Sequence, residues 1–176
     1  MNHHQATDED LLQGAYRYAM SLSGRHHDAQ DLAQQAAFKL IRRYGSLKNR
    51  SLVFKTVRNL YIDKYRRTKG KEVVPLHDAE LGNLLAFESG PDQGDKLDLA
   101  HVLSLLDFEE RELLYLHYVE GYTAAEIGTL LKTSRNTILS RLSRTRKKAR
   151  VLLSEPEHDQ NHSQQHPPQS RQGHHD

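Results

Sequence analysis

Arg135, Asn136, Ser140, Ser143 and Arg144 lie in one short run with Arg141, Arg146, Lys147, Lys148 and Arg150, and no acidic residue interrupts it. These residue types suit a nucleic acid. An arginine fork can bind O6 and N7 of guanine, and an asparagine can pair with adenine. Hydroxyls and the remaining Arg and Lys side chains suit phosphates. Reading bases this way requires the groups to stand on one rigid helix face, and the upstream residues predict such a helix. Gly121 ends one helix, and Thr123 is placed to cap the next. Glu126, three residues on, completes the capping-box spacing. Ile127 and Leu130 or Leu131 supply an inward face, and a short turn around Lys132 and Thr133 leads to Ser134, a second cap. Ile138, Leu142 and Ala149 then fall on the packing side. The pattern is a helix-turn-helix whose second helix is strongly basic. Two small helices that merely completed a bundle would not need cap, turn, apolar stripe and acid-free basic face to coincide.

A second basic block precedes it. Lys48, Arg50, Lys55, Arg58, Lys64, Arg66, Arg67, Lys69 and Lys71 are opposed only by Asp63. Between the blocks lies an acidic stretch with Glu72, Asp78, Glu80, Glu88, Asp92, Asp95 and Asp98, which hides the asymmetry in a formal net charge of only +2. Two solvated helix faces would give the same charge runs, but two separated basic blocks are also the footprint of two modules touching one polyanion. The histidines follow no metal-ligand spacing, and neither a nucleophile motif nor a phosphate-binding glycine loop is present, so the chain reads as no enzyme, with no cofactor, catalytic or metal site. The spaced imidazoles of His158, His162, His166, His174 and His175 allow a weak metal-responsive tail as the alternative to a plain solvated one. There is no cysteine, which suits a reducing compartment. No basic n-region precedes an apolar one at the N-terminus, and no apolar run approaches the roughly 20 residues that span a bilayer. The expectation is a cytoplasmic protein without membrane insertion.

The elements are helical throughout. Helix periodicity dominates and no alternating strand emerges. One helix starts after Thr7, carries Leu11, Leu12, Ala15, Tyr18, Ala19 and Leu22 on one side, and ends near Gly24. A second runs from about His27 to Tyr44 with Leu32, Ala36, Leu40 and Ile41 as its buried stripe. A third covers about Ser51 to Thr68 with Phe54, Val57, Leu60, Tyr61 and Tyr65 spaced for packing. Pro75, Gly82, Gly90, Pro91 and Gly94 punctuate the acidic stretch, which reads as a linker. Four helices follow, over Leu97–Leu105, Glu109–Val119, Thr123–Leu131 and Ser134–Leu153. The predicted fold is all-α: a three-helix N-terminal bundle (1–69), a flexible acidic linker (70–96), a four-helix domain with the helix-turn-helix (97–154) and a disordered His/Gln-rich tail (155–176). With 36% hydrophobic residues among 176, separate small cores are expected rather than a single large one.

The run from Leu105 to Arg150 resembles the C-terminal promoter-binding domain of bacterial sigma factors, through Arg111, Leu113, Leu114, Tyr118, Glu120, Gly121, Glu126, Ile127, Leu131, Thr137, Ile138, Ser140, Arg141, Leu142, Arg144 and Arg146. The N-terminal half is similar to the remainder of the two-domain, extracytoplasmic-function type. HHDAQDLAQQAAFKLIRRY resembles the helix that grips the clamp of core RNA polymerase, and FKTVRNLYIDKYRR resembles the promoter-melting helix.

This resemblance implies roles. Asp28, Asp31, Leu32, Gln34, Gln35 and Phe38 would bind core polymerase. Lys55, Arg58, Asn59, Tyr61, Ile62, Asp63, Arg66 and Arg67 would meet the downstream promoter element and stabilise its opened strand. Stacking from Phe54, Tyr61 or Tyr65 could help, although their helical spacing favours core packing. Arg135, Asn136, Thr137, Leu139, Ser140, Arg141, Ser143, Arg144, Arg146 and Lys147 would read the upstream element. The implied partners are core polymerase, promoter DNA and an anti-sigma factor. The sequence departs from the family pattern in places. Asn49 and Leu52 stand near positions often aromatic, Gly45–Arg50 is short for a base-capturing loop, Leu139 replaces a basic residue, and Arg135–Asn136 replaces a small pair. A stand-alone DNA-binding regulator is the alternative, since it would need only the C-terminal half.

Overall fold

The computed structural model describes residues 6–68 and 101–154; the linker and the tail lie outside them. Three long helices come first: α1 (Asp8–Ser23), α2 (His26–Tyr44) and α3 (Arg50–Thr68). Local chemistry fixes their ends. The Thr7 hydroxyl accepts from the Asp10 amide while the Asp10 carboxylate accepts from the Thr7 amide, satisfying two amides at the start of α1 that no turn of helix could. The Asn49 side chain accepts from the Leu52 amide and starts α3. Helix α1 lies at the centre, packed on α2 and α3 on one side and on the C-terminal half on the other. That is why Tyr18, Ala19 and Leu22 are all shielded from water. Three residues placed on packing faces turn outward instead: Leu12 is 40%, Ile41 49% and Tyr65 42% exposed. Each lies at the edge of its stripe, where helical spacing cannot separate core from rim.

In the C-terminal half, residues 101–104 are helical; the earlier part of the expected Leu97–Leu105 helix lies outside the described residues. Next come α4 (Phe108–Leu114), a π-helical turn (Tyr115–Val119), α5 (Ala124–Leu131) and α6 (Arg135–Ser154). The expected Glu109–Val119 helix is thus an α-helix closed by a wider turn. That turn brings the Tyr115 hydroxyl to 2.8 Å from Glu120 Oε1. Ile138, Leu142 and Thr145 line the buried side of α6, while Ala149 is only half-buried.

The cores are not separate. One contiguous cluster runs from Leu11 and Leu40 in the bundle through Tyr18, Phe54 and Tyr115 to Ile127 and Ile138. Aromatic rings make the join: Tyr18 stacks on Phe54 with centroids 4.4 Å apart and meets Tyr115 at 5.9 Å. A few large rings bury enough area to join halves whose overall apolar content is low.

Candidate nucleic-acid interface

The turn between α5 and α6 aims the basic helix. Lys132 adopts a left-handed conformation (φ 54°), and the Thr133 amide donates to the Gly128 carbonyl at 2.8 Å. The chain passes so close there that a Cβ on Gly128 would lie 2.6 Å from the Thr133 carbonyl oxygen. Ser134 then caps α6, its Oγ accepting from the Thr137 amide at 3.1 Å. On the far face Arg135, Asn136, Leu139, Ser140, Ser143, Arg144, Arg146 and Lys147 are exposed. Thr137 is half-buried and its hydroxyl lies 2.8 Å from the capping Ser134 hydroxyl, while Ser140 donates to the Thr137 carbonyl. The first turn of α4 restrains part of the basic face. Glu110 holds Lys148 at 2.7 Å and Glu109 lies 3.6 Å from Arg141. Sequence reasoning passes over these two acids, although Asp107 and Glu110 carry the spacing of a capping box and so mark a helix start.

Along α2, Asp31, Gln34, Gln35 and Phe38 share one exposed face, with Phe38 68% open to solvent. Ile41 and Arg42 continue it at helical spacing, and Gln35, Phe38 and Arg42 with Leu60 of α3 line a shallow groove. Leu32, grouped with these as a polymerase contact, is only 1% exposed and packs inside the bundle. Its part is to seat α2, and Phe38 and Ile41 carry the apolar surface. Asp28 lies at the edge, paired with Lys64 of α3 at 2.8 Å.

Helix α3 divides its residues between two faces. Lys55, Asn59, Asp63, Arg66 and Arg67 are exposed, with Ile62 half-buried. On the other side Phe54 is fully buried and cannot stack on a base. Tyr61 and Tyr65 each stand 5.2 Å from the ring of Phe108 in α4. Arg58 Nε donates to both oxygens of Glu112, at 2.9 and 3.2 Å, and the Tyr18 hydroxyl donates to the same carboxylate. Burial pushes the Glu112 carboxyl above its ordinary value, against the opposing pull of Arg58. Burial likewise raises Tyr18 and lowers Arg111. The Arg111 guanidinium donates to the carbonyls of Ser21 and Leu22 at the end of α1. Two further residues tie the halves together: Arg50 Nη1 lies 2.7 Å from Glu120 Oε2. Of these joining residues, sequence reasoning singles out Arg58 and Tyr61 for the site. Among the described residues no cluster of three potential metal ligands occurs, and no helix is long and apolar enough to cross a membrane. The tail histidines lie outside them.

Two family models match the chain: sigma-70 region 2 over residues 8–71 and sigma-70 region 4 over residues 96–148. The chain is 30% identical over 147 residues to the ECF RNA polymerase sigma factor SigE of Mycolicibacterium smegmatis, covering 79% of this chain and 57% of SigE. It is 28% identical over 149 residues to SigL of Mycobacterium tuberculosis, covering 80% of this chain and 82% of SigL. The chain thus spans little more than half of the first relative and about four-fifths of the second. In fold it is similar to the sigma factor RpoE of Bartonella quintana, solved in complex with the anti-sigma factor NepR, with a TM-score of 0.62, 24% identity and coverage of 81% and 91% of the two chains.

Proposed function

The chain belongs to the extracytoplasmic-function sigma factors, and from that premise we propose that it docks on core RNA polymerase, directs it to promoters and helps to open them. The observation that carries this reading is one chain presenting both an exposed apolar patch on α2 and an exposed, acid-free basic face on a capped helix-turn-helix. The α2 face, with Asp31, Gln34, Gln35 and Phe38, grips the polymerase clamp. Helix α6 enters the major groove of the upstream element, with Leu139, Ser140, Ser143 and Arg144 nearest the bases and Arg146 and Lys147 nearer phosphates. Arg141 joins them once it leaves Glu109. The Arg58–Arg67 segment of α3 meets the downstream element and holds its opened strand. This is work by binding, not by covalent catalysis, and it belongs in the cytoplasm with the polymerase. An anti-sigma partner is part of the proposal, since the structural relative RpoE was solved with one.

Reconstituted transcription tests it. Added to sigma-free core polymerase with fragmented genomic DNA of its source, the protein is expected to yield discrete start sites sharing two spaced upstream elements. DNA binding without initiation would instead favour a stand-alone regulator.

A further inference from the structure

Given the role proposed for α6 on DNA, we infer that Glu110 is a positioning residue for that helix: it ties the far part of α6 to α4 and withholds Lys148 from the phosphates. The basic run of α6 continues through Arg146, Lys147 and Lys148 without an acid, and charge alone would set all three against DNA. Their surroundings separate them. Arg146 and Lys147 are exposed, and among the described residues neither has an ion-pair partner. Lys148 stands three residues after the buried Thr145 and seven after Arg141, so it borders the packed side of α6 and looks across to the first turn of α4. There its Nζ lies 2.7 Å from Glu110 Oε2.

Exposed ion pairs usually contribute little, because two long side chains give up their freedom to hold one geometry. This pair escapes half of that cost. The Glu110 carboxylate is already fixed by the cap of α4: the same oxygen accepts from the Asp107 amide at 3.0 Å, and the Glu110 amide donates back to Asp107 Oδ1 at 2.8 Å. Only Lys148 has to be ordered. The neighbouring pair is looser, since Glu109 and Arg141 stand 3.6 Å apart, too far for a hydrogen bond, and both are about half exposed. Arg141 can therefore leave for a phosphate while Lys148 stays. The start of α6 is tied to α5 through the turn at Gly128 and the Ser134 cap. Lys148 lies roughly 20 Å beyond Arg135 along the axis, at about 1.5 Å per residue. Glu110 is thus a second anchor, and two anchors that far apart fix the direction in which α6 leaves its domain.

Glu110→Gln, Lys148→Ala and the double substitution test this in the full chain, read as the slope of log affinity against log salt on a duplex of mixed sequence. A glutamine oxygen still accepts from the Asp107 amide, so the cap survives while the charge that holds Lys148 is lost. Glu110→Gln is expected to steepen the slope by about 0.9 and to bind more tightly at low salt, as one more cation reaches a phosphate. Lys148→Ala alone should leave the slope unchanged, in contrast to Arg146→Ala or Lys147→Ala. In the double variant the gain should vanish. A gain that survived there would come from net charge alone and would overturn the inference. No change in slope for Glu110→Gln would do the same, as would a flattening by about 0.9 for Lys148→Ala, which would put Lys148 on a phosphate already. If Arg146→Ala and Lys147→Ala also left the slope unchanged, the reading of α6 as the DNA-binding helix would itself fall.

Discussion

Gly128 shows how one missing side chain aims a DNA-reading helix. An alanine there gains up to about 1 kcal/mol of helix propensity. Its methyl, however, would lie 2.6 Å from a backbone oxygen that cannot move without shifting the turn. The clash wins. Gly128→Ala is expected to destabilise the protein by about 1–3 kcal/mol, the usual cost of overpacking, measured by urea unfolding; an unchanged midpoint would mean that the turn relaxes freely. On α6 the exposed residues divide by the job proposed for them. Replacing Arg146 or Lys147 by alanine should weaken binding to all DNA alike and flatten the salt dependence by about 0.9 for each phosphate left without its cation. Arg144→Ala should instead relax discrimination at one base pair, at a cost of about 1–3 kcal/mol. Binding titrations at several salt concentrations on matched and mismatched duplexes separate the two.

At the scale of the element, α2 carries two kinds of residue that the sequence groups together. Leu32 and Phe38 stand six positions apart, yet one is 1% and the other 68% exposed. Leu32→Ala should cost about 2–5 kcal/mol of stability through the cavity it leaves. Phe38→Ala should change stability by no more than about 0.5 kcal/mol while sharply weakening binding to core polymerase. Denaturant unfolding beside a core-binding titration tests the pair, and a large drop in stability for Phe38→Ala would count against its role as a surface contact. The contrast also marks what sequence can tell. The caps at Thr123 and Ser134 and the helix start after Thr7 are legible because they depend on residues close in the chain. The basic face of α6 is legible because charge needs no knowledge of packing. Leu12 and Ile41 sit at stripe edges, where periodicity alone assigns them to the wrong side. Glu112 gives no warning, and Arg111 is visible only as a family position, because their partners in α1 and α3 lie far away in the chain and only the tertiary arrangement brings them together.

At the scale of the whole molecule, polar groups give the join between the halves its geometry and rings give it area. Glu112 does not make the fold stable merely by being charged: burial holds its carboxyl above the ordinary 4.5 despite Arg58 beside it, so the pair specifies an arrangement more than it stabilises one. The sign follows. A raised folded value means that the folded chain binds this proton more tightly than the unfolded chain does, so what the group contributes is present below about 4.5 and fades as pH rises through its folded value. Protonating Glu112 in acid therefore does not loosen the join. Alkali does. Burial raises Tyr18, Tyr115 and Tyr122 above the ordinary 10.0 and pushes Tyr61 up to about 12. Each phenol keeps its proton longer in the folded chain than in the unfolded one, so each contribution is intact below pH 10 and is lost as pH climbs beyond it, with Tyr61 giving way by about 12. All four rings lie at or beside the join, so the packed structure there should lose stability over this range. Phenolate absorbance from these tyrosines is expected to rise late and in step with loss of the packed join, followed by energy transfer between dyes on cysteines introduced at Gln13 and Ala125, both exposed. Tyr18→Phe should remove one of the late-titrating groups. If the four phenolates formed at ordinary pH while the fold stayed intact, the rings would be solvated and the join would not be a packed core.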